Sequence, residues 1–214
     1  MNTWKSLNAA RARTGTRRPS FDSVTIAFHW LTVLIVLAMF ATAWLHSQSH
    51  DDAHKAILLQ THRSLGVTIW VATVLRLVWR LTNAKMPPFP QNMPKVQQRL
   101  AKASEYALYA LLLIQPATGM AATLLRGRHF ALFFWEIPQL VPEKAIWTTI
   151  LWVHQLGAWT LGILIAGHAA AALFHHFVLR DDVLECMAPI ITASQPDSKY
   201  LSTASFAADH DAYR

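Results

Sequence analysis

From Val24 to Leu45 the chain runs without a charged side chain. At about 1.5 Å per residue that run is roughly 33 Å long as a helix, enough to cross a bilayer. A soluble helix needs a polar face, and between Leu31 and Leu45 this one offers only Thr32 and Thr42. Three more apolar stretches follow. The second spans about His62–Leu81 and is clean from Ser64 to Leu75. The third spans about Tyr106–Leu125, with Pro116 and Gly119 inside it as an expected kink. The fourth spans about Ile146–Leu179 and is longer than a bilayer needs, so it tilts or protrudes.

Composition agrees with four membrane helices. Charged residues are 14% of the 214, about half the share usual in soluble domains. Nine Trp and ten Phe suit bilayer interfaces. The single cysteine, Cys186, excludes a disulfide framework, a zinc knuckle, an iron–sulfur cluster and covalently attached c-type haem. Arg17-Arg18 ahead of the first run, with Ala41-Thr42-Ala43 near its end, outlines a twin-arginine signal peptide. The run is too long for a signal core and three more spans follow, so a retained helix is expected. The expected architecture is an all-α transmembrane four-helix bundle over residues 23–187. A basic segment, 1–22, precedes it, and a mobile polar tail, 188–214, follows it.

The net charge of +7 reflects orientation. Lys5, Arg11, Arg13, Arg17 and Arg18 precede the first span. Arg76, Arg80, Lys85, Lys95, Arg99 and Lys102 sit at and after the end of the second, and Arg180, Lys199 and Arg214 follow the fourth. These are fourteen of the nineteen basic residues, and positive charge gathers on the cytoplasmic side. Both termini are therefore expected inside and the first and third loops outside, in a bacterial inner membrane. That accounts for the charge without nucleic acid. The aromatic stretch His129–Trp135 in the third loop is expected to lie in the outer interface and lid the bundle there.

Eleven histidines are many, and ionisable residues within spans are costly and usually functional. His29 lies in the first span, His62 opens the second, and His154 and His168 share the fourth. The last two are fourteen residues apart, roughly 21 Å along a helix. Fourteen steps of about 100° fall about 40° short of four turns, so they face nearly the same way at opposite leaflets. Because spans alternate in direction, His29 can meet His168 on the inner side and His62 can meet His154 on the outer side. Two such pairs fit two haems, each held by imidazoles from different helices. Zinc fits less well, since two histidines supply half a structural site; ligand type alone leaves copper open. Gly66, Gly157 and Gly167 lie close to these histidines and suit either a flat macrocycle or plain helix packing. Arg76, fourteen residues after His62, faces the inner level and suits a haem propionate; Arg63 suits the outer one, with Arg80 a weaker candidate. Snorkelling to headgroups is the alternative for each. His175, two turns beyond His168, is placed to bond a propionate or a quinone carbonyl. His46, His50, His54 and His129 fall in outer loops as surface residues, and His176 is expected at the headgroups.

Several stretches carry a family likeness: Phe28-His29-Trp30, His62-Arg63-Ser64-Leu65-Gly66, Val74-Leu75-Arg76-Leu77, Trp152-Val153-His154 with Leu156-Gly157, and Gly167-His168 through His175-His176. Over about residues 21–189 the chain resembles the bacterial cytochrome b-561 family of four-helix, dihaem membrane proteins. The resemblance implies two haem b groups with His29, His62, His154 and His168 as axial ligands, the same four that spacing selects. It implies electron exchange between haem and quinone. The best-understood activity in the family is superoxide oxidation on the periplasmic face, with electrons delivered to ubiquinone, while other members look like anchors for redox partners.

Three functions follow. The first is an enzyme in which superoxide reduces the outer haem and ubiquinone accepts the electrons, helped by a positive mouth of Arg63, Arg126 and Arg128. The second is a relay or anchor subunit passing electrons between quinone and a redox protein. The third is a haem-free transporter using histidine as a proton relay.

Overall fold

The computed structural model describes residues 20–89, 93–137, 144–181 and 183–187. The expected terminal segments before residue 20 and beyond 187 lie outside the described residues. The order is α1 (Ser23–Gln48), α2 (Asp52–Thr82), α3 (Lys95–Leu125), β1 (Phe130–Leu132), β2 (Trp135–Ile137) and α4 (Lys144–Phe174). A π-helical turn, His175–Leu179, extends α4. All four helices are long and apolar enough to cross a membrane.

Local chemistry explains the helix starts. Asp22 caps α1, its carboxylate accepting from the Thr25 backbone at 2.9 Å and the Thr25 hydroxyl at 2.7 Å. The same side chain accepts from Trp79 Nε1 at 3.0 Å and from the Lys85 backbone, so it also ties the start of α1 to the end of α2. Burial alone would push the Asp22 carboxyl up, but the bonds from Thr25, Trp79 and Lys85 outweigh it and hold it at about 2. Asp51 caps α2 through Ala53 and His54. That cap places the helix start well before His62, which hydropathy alone takes as the opening residue. Likewise α3 begins at Lys95, ahead of the expected Tyr106. In both cases the first turns are polar and helical, and a hydropathy reading stops at the apolar boundary. α3 continues through Pro116, whose missing N–H leaves the Leu112 carbonyl without its helical donor.

The helices pack in chain order, α1 on α2, α2 on α3 and α3 on α4. All four meet at mid-height in a core of Ile35, Val36, Ile69, Leu112 and Leu161. Outward faces are apolar: Leu34 is 64% exposed, Trp159 75% and Ile163 72%. Such faces are stable against lipid and not against water. Both ends of the described chain lie together, since Phe21 N–H donates to Cys186 O and Trp30 Nε1 donates to Met187 O at 2.9 Å. We call this the termini side and the other end the hairpin side.

The hairpin is where the expected aromatic lid falls. Phe130 pairs with Ile137 and Leu132 with Trp135, antiparallel. Phe133 takes φ of 54° at the turn, a conformation that costs a non-glycine residue about 1 kcal/mol. Both of its backbone groups are held by α2: its N–H donates to Ser64 Oγ at 2.9 Å, and its carbonyl accepts from Gln60 Nε2 at 2.7 Å. Those bonds offset the strain. Phe130 turns inward, while Phe134 is 99% exposed.

Candidate functional site: two histidine pairs across the bundle

Helix direction brings the four intramembrane histidines together in two pairs. The His29 and His168 rings have centroids 6.4 Å apart, and so do those of His62 and His154. Two metal–imidazole bonds of roughly 2 Å and two ring radii of about 1 Å give a centroid separation of about 6 Å. Each pair therefore has the spacing that one iron between two imidazoles requires. Leu161 stands seven residues from each histidine of α4, so the buried core separates the two levels. Among the described residues no group of three or more His, Cys, Asp or Glu forms.

On the hairpin side a cavity of about 630 Å³ opens beside His62 and His154, within the size range of cofactor pockets. Its lining is mostly apolar, with Met39, Gly66, Leu112 and Gly119 among it, and with Arg63 and Arg126 as its cations. His62 Nδ1 lies 3.1 Å from the Met39 carbonyl and 3.3 Å from Thr42 Oγ1. His154 Nδ1 lies 3.0 Å from the Gln115 carbonyl and 3.2 Å from Thr118 Oγ1. A carbonyl can only accept, so each Nδ1 is the protonated nitrogen and each Nε2 keeps its lone pair for a metal.

Helix α3 has no histidine, yet it seats His154. A Cβ on Gly119 would stand 2.8 Å from His154 Cε1, so only glycine lets the ring lie there. Gln115 Nε2 donates to the His154 carbonyl at 2.6 Å. Gly157 makes room for that amide, since a Cβ there would run into Gln115 Oε1. Gly157 thus serves the Gln115 side chain, and only Gly66 of the three expected glycines lines the cavity.

The termini side is more open. His168 is exposed, as are the small residues Gly167, Ala169, Ala170 and Ala171 around it, and a Cβ on Gly167 would meet nothing within 4 Å. Flat space beside a histidine is what a macrocycle needs. Arg76 Nη2 lies 3.4 Å from His29 Nδ1 and Nη1 lies 3.5 Å from Thr32 Oγ1, while its guanidinium stacks over Tyr109. Arg63 stacks over Phe130 at 5.1 Å. The Nε atoms of Arg63 and Arg76 are buried without a partner among the described residues, which suits an anion such as a propionate. Arg80 differs: it pairs with Glu105 through both carboxylate oxygens, so its cation is already neutralised.

His175 is buried, and its Nδ1 bonds Asp181 Oδ2 at 2.5 Å, a partner not foreseen from spacing. Of the four histidines expected in outer loops, His46 and His54 fall instead in the last turn of α1 and the first turn of α2, because both helices run past the apolar boundary; His50, His54 and His129 are exposed. His46 is half-buried, lines the hairpin-side cavity and bonds the Lys55 carbonyl. Arg126 lines the cavity, over the Trp147 ring; Arg128 is exposed and does not. Gln115, Thr118 and Gly119 escaped the spacing argument. The available signal was a glutamine within an apolar span, where uncharged polar groups are also costly.

A membrane bundle that carries imidazole pairs at two depths is the scaffold of a b-type membrane cytochrome. A family model described as prokaryotic cytochrome b561 matches residues 20–189, and the chain belongs to that family. It is 31% identical over 172 residues to "Cytochrome b561 homolog 2" of Escherichia coli (strain K12), covering 78% of this chain and 90% of the relative. It is 30% identical over 173 residues to "Cytochrome b561 homolog 1" of the same organism, covering 79% and 97%. It is 26% identical over 170 residues to "Probable superoxide oxidase CybB" of Yersinia pestis, covering 79% and 96%. The protein is thus a multi-pass bacterial membrane electron-transfer protein of a haem b family.

Proposed function

We propose that the chain carries two haem b groups and moves single electrons across the inner membrane, from superoxide on the hairpin side to ubiquinone. The observation that carries this reading is the equal 6.4 Å spacing of two histidine pairs at two depths. A relative named a probable superoxide oxidase supports the choice of donor. Bound haem would supply reversible one-electron chemistry.

The protein supplies the rest. His62 and His154 would hold one group and His29 and His168 the other. Carbonyls of Met39 and Gln115 orient the first pair. Arg63 and Arg76 receive propionates through their unpartnered Nε atoms. The core around Leu161 and Ile69 keeps water and protons out of the path between the levels. Arg63 and Arg126 at the cavity attract an anionic donor. On the termini side, taken as cytoplasmic from the basic loops, His175 is held through Nδ1 by Asp181, and in its doubly protonated form it donates Nε2–H to a propionate or a quinone carbonyl.

The test is stopped-flow decay of superoxide with purified protein and a soluble ubiquinone. Superoxide loss coupled to quinol formation supports the reading. Haem reduction only by a co-purifying redox protein, with no reaction with superoxide, replaces it with the relay subunit.

A further inference from the structure

Arg63 and Arg76 are alike in two respects. The Nε of each is buried without a partner among the described residues. Each guanidinium also lies over an aromatic ring carried by another element. Arg63 Cζ is 5.1 Å from the Phe130 centroid, and Arg76 Cζ is 5.3 Å from that of Tyr109. The other described cation–ring contacts are longer, at 5.7 and 5.8 Å. Arg63 follows His62 in the chain and lines the hairpin-side cavity, while Arg76 lies beside His29 on the termini side. One ring-backed arginine therefore stands at each histidine-pair level.

A carboxylate and a ring hold an arginine differently. A carboxylate takes the in-plane N–H donors and cancels the charge, as Glu105 does for Arg80. A ring attracts the cation through its face and occupies none of those donors. The guanidinium is held in place while its donors stay available for an anion. Both rings are themselves fixed. Phe130 is buried, and its hairpin is tied through Phe133 to Gln60 and Ser64, in the stretch of α2 that carries Arg63. Tyr109 belongs to the turn of α3 whose Leu108, Leu111 and Leu112 pack into the mid-height core.

We infer that Phe130 and Tyr109 are positioning residues, each presenting the unused donors of one arginine to a haem propionate at its own level. This rests on the two-haem reading above, with propionates on Arg63 and Arg76. It gives the hairpin a role in the site: Phe130 acts on the cavity through Arg63 and does not line it.

Double-mutant cycles test this, read as haem transfer from the purified protein to excess apomyoglobin. Haem content is measured first. Fewer than two haems per chain, or Arg63→Gln and Arg76→Gln variants that release haem like the parent, defeat the underlying reading and take the inference with it. Otherwise Phe130→Leu and Tyr109→Leu should each speed the loss of one haem of the two, by about 2- to 30-fold. Phe130→Leu should add little once Arg63→Gln is present, and Tyr109→Leu little once Arg76→Gln is present. Arg80→Gln should leave the Tyr109→Leu effect intact. Combining Phe130→Leu with Tyr109→Leu should loosen both haems, because the two levels are separate. Tyr109→Phe, which keeps the ring, should match the parent. An aromatic effect that persists in full without its arginine is plain packing and overturns the inference. So does fast haem loss from Tyr109→Phe, a Tyr109→Leu effect that vanishes with Arg80→Gln, or parental haem release from both leucine variants. If Phe130→Leu does not assemble, the Tyr109 cycle decides the matter.

Discussion

Gly119→Ala puts the seat of His154 to a direct test. The added Cβ would stand 2.8 Å from Cε1, 3.2 Å from Nδ1 and 3.4 Å from Nε2 of that ring. The Cβ is fixed to the α3 backbone and cannot withdraw, so the ring must. Moving it strains the packing by about 1–3 kcal/mol and loosens the bond to the Gln115 carbonyl, worth about 0.5–1.5 kcal/mol. Together these make about 1.5–4.5 kcal/mol, or roughly a 10- to 1,600-fold loss of haem affinity at about 1.4 kcal/mol per tenfold. The loss falls on one site of two. The assay is haem transfer from purified protein to excess apomyoglobin: one haem should leave the variant much faster than the other. Gly162→Ala serves as control, because its Cβ would meet the Phe40 ring at an ordinary 3.6 Å from Cζ and 3.8 Å from Cε1. Without the clash, alanine in a helix is favoured over glycine by about 1 kcal/mol. A Gly119→Ala protein that keeps both haems and melts higher than the parent would therefore refute the reasoning.

Three other perturbations read different links of the account. Arg126→Gln should lower the second-order rate constant for superoxide and flatten its dependence on ionic strength, both visible by stopped flow. Leu161→Ala empties the core between the two levels and should cost about 2–5 kcal/mol, seen as a lower melting temperature in detergent. Asp22→Ala removes the α1 cap and should cost about 0.5–2 kcal/mol in the same melt. Since the folded Asp22 carboxyl sits at about 2, below its ordinary 3.8, its contribution is complete above that ordinary value and is lost as pH falls through about 2. The parent's stability should drop over that window by more than the Asp22→Ala variant's does.

The bundle and its pairing were legible in the sequence because both rest on simple periodicities. Charge-free runs mark the spans, and the fourteen-residue step between His154 and His168 marks two depths on one face. Helix starts were less legible: hydropathy locates the apolar boundary, while Asp51 and the turns from Lys95 onward continue the helix beyond it. The hairpin was hidden because its strands are three residues each, too short for an alternation to register, and its turn depends on Ser64 and Gln60 far away in the chain. What surrounds the ligands was hidden for a related reason. The bonds to Met39 O and Gln115 O use backbone groups that every residue has, so no side-chain pattern announces them. Arg80 shows the reverse failure. Its position suits an inner-level anion, and the anion it finds is Glu105, on a different helix.

The most direct measurement is the optical spectrum of the detergent-purified protein, oxidised and dithionite-reduced, with haem quantified as the pyridine haemochromogen. Two haem b per chain with low-spin bands is the predicted result, each pair of imidazoles filling both axial positions of its iron. Colourless protein from cells supplied with haem, or a single high-spin haem, would contradict it and leave the intramembrane histidines to a proton relay.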